Sequence, residues 1–186
     1  MSRNDRNRMP LPQKWAAFLY DVDAALDAPV ELHCIGGFVM TAYYGAPRTT
    51  KDLDYIAATG PGRGDLAAIA EAGSELARKH NLYLERVSVA NYPEDYETRL
   101  EEIFPGELKN LRLLALDPYD LILTKMDRNN DIDRFDAKFL ANTLKLTART
   151  FSERYRKEFR PAFVGNLNRL DVTFSLWLEA YFEAKA

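Results

Sequence analysis

Residues 35–56 run Ile35-Gly36-Gly37-Phe38-Val39-Met40-Thr41-Ala42-Tyr43-Tyr44-Gly45-Ala46-Pro47-Arg48-Thr49-Thr50-Lys51-Asp52-Leu53-Asp54-Tyr55-Ile56. The Gly36-Gly37 pair closes the apolar run Val30 to Ile35, which predicts a short strand. A short helix is expected from Phe38 to Tyr44, stopped by Gly45 and Pro47. A second strand, Lys51 to Ala57, carries Asp52 and Asp54. Side chains alternate faces along a strand, so both carboxylates point one way and Leu53 points into the core. Two carboxylates on one face repel each other unless a cation lies between them. A divalent ion suits the place, because Mg²⁺ is usually held by one or two carboxylates plus substrate phosphates. Glycines ahead of a helix start offer backbone N–H groups to an anion without side-chain interference. A phosphate cradle beside a metal site points to nucleotide chemistry.

Working outward, Pro12 to Leu26 predicts an amphipathic helix with Trp15, Phe18, Leu19, Val22 and Leu26 on one face. Gly60-Pro61-Gly62 marks a turn, and Asp65 is the expected cap of a helix running to about Lys79. Leu82 to Val89 is β-rich and gives a third strand; Asn91 to Glu102 is acidic and partly helical in expectation; Leu111 to Leu116 adds a further strand. From Asp117, an N-cap followed by Pro118 at the first helical position, the pattern is helical. Later helices are expected near Asp131–Thr147, Thr150–Glu158 and Asn166–Phe182. Strands first and helices last predict an α+β class with a C-terminal helical bundle. The expected division is a disordered leader over residues 1–9, a core over 10–116 and a helical part over 117–186 of the same compact unit.

The 186 residues suffice for one domain, and 47% hydrophobic with 28% charged residues is an ordinary globular composition. No run approaches the roughly 20 apolar residues of a membrane span. The polar start, Ser2 to Arg8, has no apolar region behind it, so no signal peptide is expected and a cytoplasmic location is the default. Cys34, the one cysteine, has no internal disulfide partner. His33 and His80 belong to no ligand-spaced cluster, so both are expected to be structural. The net charge of −3 hides an asymmetry. Residues 85–107 are acidic, whereas Lys138, Lys145, Arg149, Arg154, Arg156, Lys157, Arg160 and Arg169 crowd the C-terminal third. Two readings of that third stand side by side, a nucleic-acid footprint and solvated helix faces.

Gly36-Gly37, fourteen intervening residues and Asp52-Leu53-Asp54 resemble the signature of the nucleotidyltransferase superfamily, the polymerase-β-like fold. Arg48-Thr49-Thr50-Lys51 before the acids is similar to the version found in small bacterial members, among them the AbiEii-type toxins. Asp117-Pro118-Tyr119-Asp120-Leu121-Ile122-Leu123-Thr124-Lys125 and Asp131-Ile132-Asp133-Arg134-Phe135-Asp136 also resemble those families. The likeness covers roughly residues 30–140 and implies a small mixed sheet flanked by helices. It implies an NTP substrate, with Mg²⁺ (or Mn²⁺) held by Asp52 and Asp54 and the triphosphate by Gly36, Gly37, Arg48 and Thr50. Glu85, on a neighbouring strand, is the implied third carboxylate, with an exposed strand acid as the alternative. Lys125 is implied to neutralise phosphate charge, with Asp136 as the late acid that holds it or meets substrate; a snorkelling Lys125 is the alternative. Arg134 is open between a phosphate contact and a salt bridge. The resemblance further implies an RNA acceptor, a tRNA end above all, and an antitoxin partner in a toxin–antitoxin system. Nucleotidylation of a protein, and a silent binding module of the same fold, are the rival readings.

Overall fold

The computed structural model describes residues 10–183, so the leader expected over residues 1–9 lies outside the described residues. They fall into two compact units, residues 10–88 with 100–115, and residues 89–99 with 116–183.

The first unit is built on a five-stranded mixed sheet in the order β3-β2-β1-β5-β4. Its strands are β1 (Val30–Cys34), β2 (Asp52–Thr59), β3 (Tyr83–Arg86), β4 (Glu101–Ile103) and β5 (Leu111–Ala115). β1 lies in the middle, parallel to β5 and antiparallel to β2, and β2 in turn is parallel to the edge strand β3. The central position explains its composition: only Glu31 of its five residues escapes full burial. The first helix, α1 (Gln13–Ala25), buries Trp15, Phe18, Leu19 and Val22 as its periodicity predicts. Trp15 meets Phe38 edge-on at 4.8 Å, tying α1 to α2 (Gly36–Phe38), the short helix after β1. Asp23 near its end accepts from the backbone N–H groups of Asn110 (2.6 Å) and Leu111 (2.7 Å), which fixes the start of β5.

The structure corrects three sequence expectations here. The helix expected from Asp65 to Lys79 is two short helices, α3 (Leu66–Ala70) and α4 (Glu75–His80). Glu71 leaves the helix to bridge Leu84 beside β3, Gly73 takes φ +93°, and Ser74 restarts the helix by accepting from Ala77 N–H. Asp65 makes no side-chain cap, because the chain enters α3 through a 3₁₀ turn, Pro61–Asp65. The stretch Asn91–Glu102 holds a 3₁₀ turn, Tyr96–Arg99, but Glu101–Ile103 is a strand paired antiparallel to β5.

The second unit is helical. Its elements are α5 (Pro118–Lys125), α6 (Asp131–Leu144), α7 (Ala148–Arg154, continuing through Tyr155–Phe159 to Ala162) and α8 (Leu167–Trp177, continuing as Leu178–Glu183). Asp117 caps α5 with Pro118 at its first position, as expected. Asn130 and Asp133 form a capping box on α6, and Asn166 caps α8 through Arg169 N–H. Aromatic stacking joins the last helices: Tyr155 lies 3.9 Å from Phe174 and Phe151 lies 4.4 Å from Phe182, ring centre to ring centre. The α+β class with C-terminal helices follows from these elements.

Candidate active site

The helix after β1 begins at Gly36, runs as Gly36–Phe38 and widens into a π-helical stretch, Val39–Tyr43. Both glycines therefore lie inside its first turn and not ahead of it. Their use is steric. Gly36 sits at φ +68°, and a Cβ there would stand 1.9 Å from Asp54 Oδ2. A Cβ on Gly37 would meet Thr50 Oγ1 at 2.7 Å and Arg48 Nη1 at 3.1 Å. The two bare Cα atoms thus let two different groups approach: a carboxylate on one side, a hydroxyl and a guanidinium on the other. Gly37 N–H also points at Asp54 Oδ2, at a long 3.4 Å.

Asp52 and Asp54 share a face of β2 while Leu53 between them is fully buried, as strand alternation requires. β3 runs parallel to β2 with Tyr83 opposite Asp52 and Glu85 opposite Asp54. Partners in register share a face, so Glu85 joins the two aspartates. One carboxylate oxygen from each of Asp52, Asp54 and Glu85 lies within 4.8 Å of the others. At such separations two unit charges repel by about 1–4 kcal/mol, depending on how much water screens them. A hard divalent cation with oxygen ligands removes that repulsion, and an all-carboxylate donor set suits Mg²⁺ or Mn²⁺. The acids also act on a neighbour: the Tyr83 hydroxyl is pushed above its ordinary range by burial and then by the charges of Asp52, Glu85 and Asp54.

Thr50 links the acids to the cationic side. Its hydroxyl donates to Asp52 Oδ1, and its carbonyl accepts from the Lys14 ammonium. Lys14 was not picked out from the sequence. It stands 36 residues from Thr50 on the polar side of α1, and no motif marks it. Arg48, Thr50 and Lys14 therefore gather beside Gly37, while Asp52, Asp54 and Glu85 gather beside Gly36.

The other two sequence candidates lie in the second unit. Lys125 is almost wholly buried (4% exposed) and pairs with Asp136 Oδ2 at 2.8 Å, with Asp133 Oδ1 at 3.8 Å. Asp133 in turn takes two hydrogen bonds from Arg128, at 2.8 and 2.6 Å. The burial removes the snorkelling alternative for Lys125. Arg134 bonds Asp131 and the Asn129 carbonyl, which answers to the salt-bridge alternative. Asp120, fully buried on the same helix as Lys125, holds Arg99 (2.9 Å) and Arg154 (3.0 Å). Its carboxyl is nonetheless raised, because burial outweighs the two guanidiniums. Of the basic third, Arg149, Arg154, Arg160 and Arg169 are engaged by Glu153, Asp117 and Asp120, Asp171 and the Asp127 carbonyl. His80 is bonded to Asp21 at 2.7 Å and Cys34 is buried, so neither joins the acidic cluster.

A mixed sheet whose central hairpin carries a Gly-Gly helix start against an acid-x-acid strand defines the nucleotidyltransferase class. The model of the family described as "Nucleotidyltransferase of unknown function (DUF6036)" matches residues 18–156, and the chain belongs to that family. The span takes in every site candidate from Gly36 to Asp136 and leaves out Lys14. Searches of curated proteins and of solved structures gave no match. Among the described residues no helix is long and apolar enough to cross a membrane.

Proposed function

We propose that the protein moves a nucleoside monophosphate from an NTP to an acceptor hydroxyl, with Asp52 and Asp54 holding a divalent metal, Mg²⁺ or Mn²⁺. The observation that carries this reading is the convergence of three carboxylates within 4.8 Å beside a side-chain-free helix start. When bound, the metal would supply positive charge to phosphate oxygens and template the reacting groups. Gly36 lets Asp54 approach the helix start, and Gly36 and Gly37 with Arg48 and Thr50 receive the triphosphate. Arg48 is suited to that place because its fork binds phosphate oxygens in pairs.

Glu85 takes the proton of the attacking hydroxyl. The acceptor oxygen forms a bond to the α-phosphorus, the bond from that phosphorus to the bridging oxygen breaks, and pyrophosphate leaves with the electron pair. Positioning and charge neutralisation carry most of the rate, as in phosphoryl transfer generally.

The narrower reading, by likeness to AbiEii-type toxins, is an RNA acceptor such as a tRNA end, a cytoplasmic setting and an antitoxin partner. The test is incubation with each α-³²P-labelled NTP, Mg²⁺ and total cellular RNA, with RNA and protein resolved separately. Label on RNA that vanishes with Asp52→Ala is the expected result. Label on protein moves the reading to nucleotidylation of a protein. No label with any NTP, in the presence of RNA and lysate protein, contradicts the proposal and leaves the silent-module reading.

A further inference from the structure

Two clefts in the first unit adjoin at Glu71 and Arg86. One, of about 530 Å³, follows the edge strand β3 past Tyr83, Glu85 and Ser88. The other, of about 370 Å³, has Tyr55 and Arg63 in its wall. Side-chain alternation puts Glu85 and Arg86 on opposite faces of β3, with Asp54 and Tyr55 opposite them in register. The joined groove therefore bends round the sheet edge, from the carboxylate that faces the reaction to a pair of guanidiniums.

The charges along it are unequally satisfied. Glu71 is taken by the Tyr55 hydroxyl at 2.7 Å. Arg63 donates one N–H to the Gly60 carbonyl at 3.1 Å, and its remaining donors have no partner among the described residues. Arg86 makes no hydrogen bond and no ion pair among the described residues, although it is exposed beside the groove. A guanidinium offers five donors in a planar fork that matches phosphate oxygens. Two of them on one groove suit an anion with several oxygens and more than one charge. The NTP has its own cations, Arg48 and Lys14, gathered about Thr50 and Gly37. The cations at the β3 edge are left for the other substrate.

We propose that this groove seats the acceptor, and that the acceptor carries a phosphate bound by Arg86 and Arg63 while its hydroxyl faces Glu85. The inference rests on the reading of Glu85 as the proton acceptor in nucleotidyl transfer. The chemistry required is a hydroxyl and a phosphate ester on one molecule, either a phosphorylated sugar or nucleotide or the 3′ end of a polynucleotide.

The experiment is fluorescence anisotropy of the full chain with a labelled short single-stranded RNA, without NTP or metal, in competition with ribose 5-phosphate. Arg86→Glu and Arg63→Glu are each expected to weaken RNA binding at least tenfold. Arg86→Lys should restore part of it and lower the salt dependence less than Arg86→Glu does. Lys138→Glu, in the second unit, should leave it intact. Competition by ribose 5-phosphate at millimolar concentration assigns the groove to a small phosphorylated acceptor; its failure, with RNA binding still dependent on Arg86, assigns it to a polynucleotide end. Binding of neither probe, or binding indifferent to Arg86→Glu and Arg63→Glu, overturns the proposal. Because the readout needs no turnover, loss of the nucleotidyl-transfer reading would show separately, as an absence of Asp52-dependent label transfer.

Discussion

A single Cβ is the sharpest probe of the arrangement around Asp54. In Gly36→Ala the new carbon meets Asp54 Oδ2 at 1.9 Å and the φ of +68° is retained only at a cost of about 1–2 kcal/mol. The carboxylate must shift from its place in the cluster with Asp52 and Glu85. The expected outcome is a folded protein, slightly lower in thermal midpoint, with metal-dependent nucleotide binding weakened at least tenfold in a titration. Gly45→Ala, where φ is +73° but no atom lies within 4 Å of the added carbon, should show the strain without the loss of binding. A second prediction concerns Asp171, whose carboxyl is lowered to about 2 by Arg160 and then by the Tyr155 hydroxyl. A depressed carboxyl stabilises the fold above its unfolded value, near 3.9, and that stability is lost as the pH falls through about 2. Urea unfolding followed from pH 6 to pH 2 should therefore show a decline that Asp171→Asn flattens. The exposed setting of the pair keeps the effect small.

Pairs of elements are where the buried charges belong. Lys125 on α5 and Asp136 on α6 form an ion pair with Asp133 alongside, all nearly excluded from water. Lys125→Ala takes the ammonium away from two buried carboxylates, and should cost about 3–5 kcal/mol in urea unfolding. Lys125→Met with Asp136→Leu should cost less than the two single changes added together, because neither member of the pair then stays buried without the other. A purely additive result would show that the pair does not hold α5 to α6. At the same scale, Ser74→Ala removes the acceptor for Ala77 N–H and should destabilise the protein by about 1 kcal/mol, since α4 has no other side-chain cap at its start.

These elements also show what the sequence could and could not disclose. The acid strand was legible because alternation dictates the facing of Asp52, Leu53 and Asp54 whatever surrounds them. The cap at Asp117 was legible for the same local reason. The break at Gly73-Ser74 carried a signal, a glycine followed by a capping residue, which the apolar residues on either side outweighed. β4 carried almost none: three residues, two of them glutamates, become a strand only because β5 lies beside them.

Over the whole chain, the membership of the acidic cluster was legible and its surroundings were not. Asp52, Asp54 and Glu85 meet because a parallel register places residue 85 across from residue 54, and the resemblance pointed to that acid. Lys14 reaches Thr50 only through the packing of α1, and Arg86 has no ion pair among the described residues because the neighbouring Glu71 is taken by the Tyr55 hydroxyl. Such facts belong to tertiary structure. Engagement of four C-terminal arginines by acids and a carbonyl of their own unit likewise leaves Lys138, Lys145, Arg156 and Lys157 as the cations of that third without a partner among the described residues. Neutralising these four should therefore lower RNA binding less than Arg86→Glu does, in the anisotropy measurement described above.

The central claim is that Asp52 and Asp54 are metal ligands in a nucleotide site. Its most direct test is the binding of Mn²⁺ followed by electron paramagnetic resonance, with a non-hydrolysable NTP present, for the wild-type chain, Asp52→Asn and Asp54→Asn. Each amide keeps the shape of the carboxylate and removes its charge, and for these partly exposed residues the fold should stand. A nucleotide-dependent Mn²⁺ site is expected in the wild type and is weakened at least tenfold in either variant. Equal Mn²⁺ affinity in all three proteins would contradict it.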